Sequence, residues 1–288
     1  MTTLSSTAVP TIPRLEHVGR VTQARVALSE WTKLRSLRST RWSLLVAVVL
    51  TIGLPLLFAT VLSSRWGQIG PLERADHYRH RLDISLAGVN VSQLAIAVLG
   101  VLLITGEYST GMIRATPTAA PRRLPVLWGK AMVYMLTVFA LMLPSVLIAF
   151  AGSQAILRSH HILQLSFTHP GVVRAVVGSA VYLVLVGIFA LGIGAIVRST
   201  AGGIATFAAI FFVIPPLLNI LPSSWNNAIS PYLPDAAGRD MFSLNLPLPG
   251  DVHAASNDLS PGWGFALFVG YCVLALAIAA VLLVRRDA

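Results

Sequence analysis

Charge is scarce in this sequence. Only 11% of its 288 residues are Asp, Glu, Lys or Arg, where a soluble domain carries about 25%. With 55% hydrophobic residues and a mean hydropathy of +0.75, a soluble fold would have little polar surface to show water. The composition therefore places the chain in the membrane class. Cysteine is nearly absent too. Cys272 stands alone inside an apolar run, which excludes an intrachain disulfide and offers no redox or metal motif. A phosphate-binding loop is missing. Gly129-Lys130 runs into Ala131 and lacks the upstream glycine of GxxxxGK[ST]. No cofactor and no catalytic residue are expected in this chain, so any ATP chemistry must belong to another one. The first 20 residues also lack the apolar region of a secretory signal. The amino terminus is expected to stay in the cytoplasm, with residues 1–17 a disordered tail.

What is present is long apolar runs. Six are of transmembrane length: 42–62, 84–105, 125–151, 171–197, 201–221 and 262–284. A helix needs about 20 such residues to cross a bilayer core. Strand alternation is absent, which argues against a barrel. The expected fold is an all-α membrane protein of six transmembrane helices. Arg198-Ser199-Thr200 alone separates the fourth and fifth runs, so these should form a tight hairpin. Placing both termini inside puts 14 Lys and Arg residues on the cytoplasmic side and 7 outside, which favours that orientation. The net charge of +10 is then a topological and lipid-facing feature, and no nucleic-acid partner is expected.

Residues 18–41 lead into the first span. Val21, Ala24, Leu28, Trp31 and Leu34 recur at helical spacing, with Arg25, Lys33, Arg35 and Arg38 largely elsewhere on the wheel. This pattern suits a helix in the cytoplasmic interface, its basic side chains reaching lipid phosphates. The plainer alternative is a positive flank that only sets topology. On the other side, residues 222–261 form the longest connection. Six prolines and interleaved Trp225, Tyr232, Leu233, Met241 and Phe242 suggest short helical pieces over 223–243 that dip into the interface. His160, His161 and His169 share a loop with no carboxylate, so no metal site is expected there.

Ionisable groups are missing at mid-depth in every run. Lys130 and Arg174 fall near run ends and are expected to reach the interface. The polar residues deeper in are mild: Asn90, Ser92, Gln93, Ser179, Thr206 and Asn219. Bonding between helices explains such residues as well as a pathway does. An ion-coupled carrier needs a buried charge or a broken-helix ion site, and an intramembrane hydrolase needs a nucleophile with a base or metal. Pro55, Pro144, Pro215 and Pro216 should kink or break their spans. Gly178, Gly187, Gly192, Gly194, Gly202 and Gly203 should let the fourth and fifth pack closely.

Between the second and third runs lies GEYSTGMIRATPTAAPRR, residues 106–123. It is too polar for lipid. Gly106 and Gly111 allow sharp turns, Ser109-Thr110 can cap a short helix, and Pro117 and Pro121 would end it. Arg122 and Arg123 can hold the next span at the phosphates. Glu107 is expected to pair with Arg114, another arginine or a partner protein.

Together with SEWTKLRSLRSTRWSLL (29–45), VRSTAGG (197–203) and the six-run layout, this stretch resembles the permease subunits of ABC transporters of the type-2 (exporter) class, six-span bacterial family. The resemblance implies a complex of two permeases, as a homodimer, with two separate ATPase subunits that bind ATP and Mg. It implies a plasma-membrane location. It also implies a coupling helix seated on the ATPase around Glu107, Tyr108, Ser109, Thr110, Gly111, Met112, Ile113 and Arg114. Arg198, Ser199 and Thr200 would form a second contact. The interfacial helix with Glu30, Trp31, Lys33, Arg35 and Arg38 would flank the first. Spans two and five would line the pathway, with Asn90, Ser92, Gln93, Thr206 and Asn219 as candidate lining. The alternatives are a secondary transporter without an ATPase, and a non-transporting scaffold or anchor.

Overall fold

The computed structural model describes residues 23–36, 38–109, 123–244 and 259–286. Among them all regular structure is helical. In chain order the helices are α1 (Gln23–Ser36), α2 (Arg38–Arg65), α3 (Pro71–Arg79), α4 (Arg81–Ser109), α5 (Arg123–Ser159) and α6 (Val172–Val197). Then come α7 (Thr200–Ala208), α8 (Ile214–Leu218), α9 (Ser223–Ile229), α10 (Pro234–Asp240) and α11 (Pro261–Arg286). Thr110, Gly111, Met112, Ile113 and Arg114 of the expected coupling segment lie outside the described residues, as do the tail 1–17, Val21 and residues 245–258.

Among the described residues, six stretches are long and apolar enough to cross a membrane: Arg38–Gln68, Arg81–Tyr108, Leu127–Ser159, Val172–Val197, Thr200–Leu218 and Pro261–Arg285. They alternate in direction. One end of the bundle therefore gathers α1, the last turn of α4, the first turns of α5, the α6–α7 turn and the end of α11. We term it the α1 end. The other end carries α3, α9 and α10. The six tryptophans split evenly between the two ends. Trp31, Trp42 and Trp128 sit at the α1 end and Trp66, Trp225 and Trp263 at the other. Five of them are exposed and Trp66 is half-buried, the distribution of a pair of interfacial belts.

The centre of the bundle is α6. Its apolar window is 78% buried, against 17% for the Thr200–Leu218 span. It packs on α4, α5, α7 and α11. Close approach depends on missing side chains. A Cβ on Gly100 of α4 would collide with the backbone carbonyl of Gly187, and one on Gly187 with the Tyr134 ring of α5. Hydrogen bonds supplement this packing where water is absent. Tyr134 donates its hydroxyl proton to the Ile96 carbonyl at 2.7 Å, and Ser153 donates to Ser85 at 2.8 Å.

The prolines act unequally. The helix runs unbroken through Pro55 in α2 and Pro144 in α5. The adjacent pair Pro215-Pro216 removes two successive N–H donors and crowds the carbonyls of Phe211 and Phe212. The fifth span responds with a π-helical turn, Ala209–Val213, between α7 and α8.

Candidate functional site: a charge cluster at the α1 end

The last turn of α4 is where the α1 end converges. Glu107 sits there with its side chain only 12% exposed. Lys130, two turns into α5, reaches it at 2.9 Å and also reaches Glu30 of α1 at 2.6 Å. Lys33, one turn after Glu30, lies 2.8 Å from Glu30 and 3.1 Å from Glu107. Two carboxylates and two ammonium groups thus alternate around a ring, and its formal charge is zero. Each lysine touches both acids. Such closure is what a buried ion pair needs, because desolvation otherwise exceeds the Coulomb gain.

One sequence expectation is corrected here. Lys130 does not reach the interface. Its side chain is 2% exposed, and two carboxylates replace the water it would have sought. Among the described residues Glu107 pairs with two lysines, while Arg114, the partner first expected, lies outside them. Helix α1 turns a charged residue as well as an apolar one to the bundle. Glu30 and Leu34 are buried, while Leu28 and Trp31 remain exposed. A charged residue leads into the bundle because its partner, Lys130, is already there.

Electrostatics follow the geometry. Burial alone would push the Glu30 carboxyl up, but Lys130, with Lys33, outweighs it and holds its pKa below the usual glutamate value. Burial would likewise depress Lys33. Its hydrogen bond to Glu30 and the charges of Glu107 and Glu30 raise it instead.

The cluster continues across the bundle through the next residue of the same turn of α4. Tyr108 lies under the Arg198 guanidinium, 5.2 Å from its ring centroid. Arg198 also donates to the Leu282 carbonyl of α11 at 3.2 Å. Arg198 caps α6 in the left-handed region, with φ of 57°, and its N–H bonds to the Gly194 carbonyl. Glycine is the usual residue at such a cap. Arginine here accepts the strain and gains a side chain that spans α4 and α11. Ser199 then caps α7, accepting from the Gly202 N–H at 3.3 Å, and Thr200 donates to Thr105 of α4 at 2.8 Å. Glu30, Lys33, Glu107, Tyr108, Arg198 and Thr200 are therefore brought into one continuous chain. Arg35 and Arg38 are exposed outside it.

Of the residues expected along a pathway, Ser92 and Gln93 are buried inside the bundle, whereas Asn90, Thr206 and Asn219 are exposed on its surface. Gln93 belongs to a second polar group that the sequence reading missed. Helix α10 folds back into the bundle and buries Asp235 against Tyr182 of α6. The Tyr182 hydroxyl donates to the Gln93 side-chain oxygen and lies 3.4 Å from the Asp235 carboxylate, which pairs with Arg239. Tyr182 is ten residues into α6, about 15 Å from its outer end by helical rise. A carboxylate thus reaches that depth from a connection and not from a span. Burial raises its pKa above the usual aspartate value, with Arg239 and Tyr182 only partly offsetting the effect. The available signal was the Asp235/Arg239 spacing of four just after Pro234, the mark of a short paired helix. Tyr182 also packs on Phe268, which meets Phe211 of the π-helical turn. Among the described residues, no three His, Cys, Asp or Glu side chains gather as a metal site.

A scan against protein-family models gives no match for this chain, and a search of curated proteins gives none.

Proposed function

We propose that this chain is the membrane-spanning permease subunit of an ATP-driven ABC exporter. A separate ATPase subunit binds ATP and Mg, and two copies of this chain form the translocating unit. The α1 end lies in the cytoplasm of a plasma-membrane protein, as the 14-to-7 bias of Lys and Arg favours. The observation that carries the reading is the convergence of α1, α5 and the α6–α7 turn on Thr105–Tyr108, with α11 joined to the α6–α7 turn through Arg198. The last turn of α4 begins the expected ATPase contact, Glu107 to Arg114, and leads directly into its remaining residues. A displacement of this segment on nucleotide closure pulls on Glu107 and Tyr108. Glu107 passes it to α1 and α5, and Tyr108 passes it to the α6–α7 turn. The ring can act as a switch only if its contacts differ between the ATPase states.

Glu107→Gln tests the mechanism. Each lysine keeps Glu30, so the chain folds, but the charge link from α4 is weakened. Transport is expected to fall about tenfold or more while ATP hydrolysis persists, since a charged hydrogen bond contributes about 1.5–3 kcal/mol. Wild-type transport in this variant removes Glu107 from the coupling role.

Asp235 favours a second reading, an ATPase-independent carrier driven by protons, because a carboxylate within the bundle is the usual site of such coupling. That carrier would move substrate under a pH gradient without ATP, and Asp235→Asn would abolish the movement.

A further inference from the structure

An open apolar groove of about 690 Å³ runs between α1 and α5, walled by Leu28 and Trp31 on one side and Val133, Leu136, Ala140 and Leu141 on the other. From this groove we infer a binding site for one anionic phospholipid, with an acyl chain between α1 and α5 and the phosphate on the arginines of the α1–α2 junction. The inference rests on the chain being membrane-embedded and not on the transport reading.

Three features specify the occupant. The walls are carbon almost throughout, and the groove lies along a helix fit to span a bilayer, so its natural filling is an alkyl chain. Second, the charge beside it is of one sign. Leu28, Trp31 and Arg35 are spaced by three and four residues, which puts them on one face of α1. Arg35, Arg38 and Arg41 are exposed, and among the described residues none has a carboxylate partner. The acids that might have neutralised them, Glu30 and Glu107, are already taken by Lys33 and Lys130. The junction therefore keeps its full positive charge for a phosphate. Third, Trp31 is half-exposed at the groove mouth, the level at which an indole meets headgroups.

Native mass spectrometry of the full chain, released from vesicles of equimolar phosphatidylglycerol and phosphatidylcholine, tests this. The wild type should retain one phosphatidylglycerol with a preference on the order of tenfold. Leu136 is exposed, so Leu136→Trp fills the groove without touching the core and should lose that lipid. Arg35→Glu with Arg38→Glu should erase the preference and leave the protein folded. Equal retention of both lipids by the wild type overturns the proposal, as does undiminished retention in Leu136→Trp. A permease without ATPase would leave these results unchanged, so the two readings fail separately.

Discussion

Replacing Lys130 by methionine is expected to cost about 3–5 kcal/mol, the penalty for stranding a buried charge. Lys130 is the more deeply buried of the two cations in the ring, at 2% side-chain exposure against 43% for Lys33. Without it, Glu30 and Glu107 face each other in a largely buried site, with one half-exposed lysine between them. The folded yield in detergent should drop sharply and the thermal midpoint should fall. Lys130→Met combined with Glu30→Leu removes one charge of each sign and leaves Lys33 with Glu107. This pair should recover at least half the loss, since contacting residues couple by about 0.5–3 kcal/mol. A single Lys130→Met as stable as wild type would show that the ring contributes nothing. The same geometry sets a pH dependence. The Glu30 pKa is held below its ordinary value of 4.5. Its stabilising contribution is therefore present above that value and lost as pH falls through the folded pKa.

The second large effect is expected at the opposite end. Asp235→Ala should unseat α10. It leaves the Tyr182 and Arg239 contacts unmet and costs about 2 kcal/mol, or about 30-fold faster hydrogen exchange across residues 234–240. The sign of the pH effect is opposite to that of Glu30. The Asp235 pKa is raised above its ordinary value of 3.8, so the folded state prefers the neutral acid. Its contribution is full below the ordinary value and is lost as pH rises through the folded pKa. The chemistry is consistent. Tyr182 has one hydroxyl proton and Gln93 takes it, so a protonated Asp235 can donate to the Tyr182 oxygen. Acid should thus loosen α1 and tighten α10 in the same molecule. Asp235→Asn should make protection of α10 independent of pH. Parallel acid responses at both ends would contradict the assignment of the two carboxyls.

The two sites also show what a sequence can convey. Runs of apolar residues are long and uniform, so the helices fit to cross a membrane were legible from hydropathy. The break at Pro215-Pro216 followed from two missing donors, and the tight turn at Arg198-Ser199-Thr200 followed from length. Close packing of Gly187 followed from its place in a glycine-rich span. The amphipathic pattern of α1 was legible, but its docking on the bundle was not. Here the orientation is set by Glu30 and a lysine 100 residues away in the chain, a pairing no local pattern contains. Lys130 was misread for the same reason. Asp235 was not singled out, because depth was judged by the spans alone, and a connection that folds back brings its own charges with it. Glu107 was singled out for being acidic where topology offers no use for acid, and its two lysines supply the physical reason.

The central claim is that energy enters at the α1 end from another chain. Purification of the full-length protein from its native membranes in mild detergent tests it most directly, with ATP hydrolysis and bound subunits as the readouts. The proposal expects a nucleotide-binding subunit with a phosphate loop to co-purify in equal amount and to hydrolyse ATP in the complex. A chain that purifies without any such subunit, yet transports in vesicles under a pH gradient alone, would contradict it.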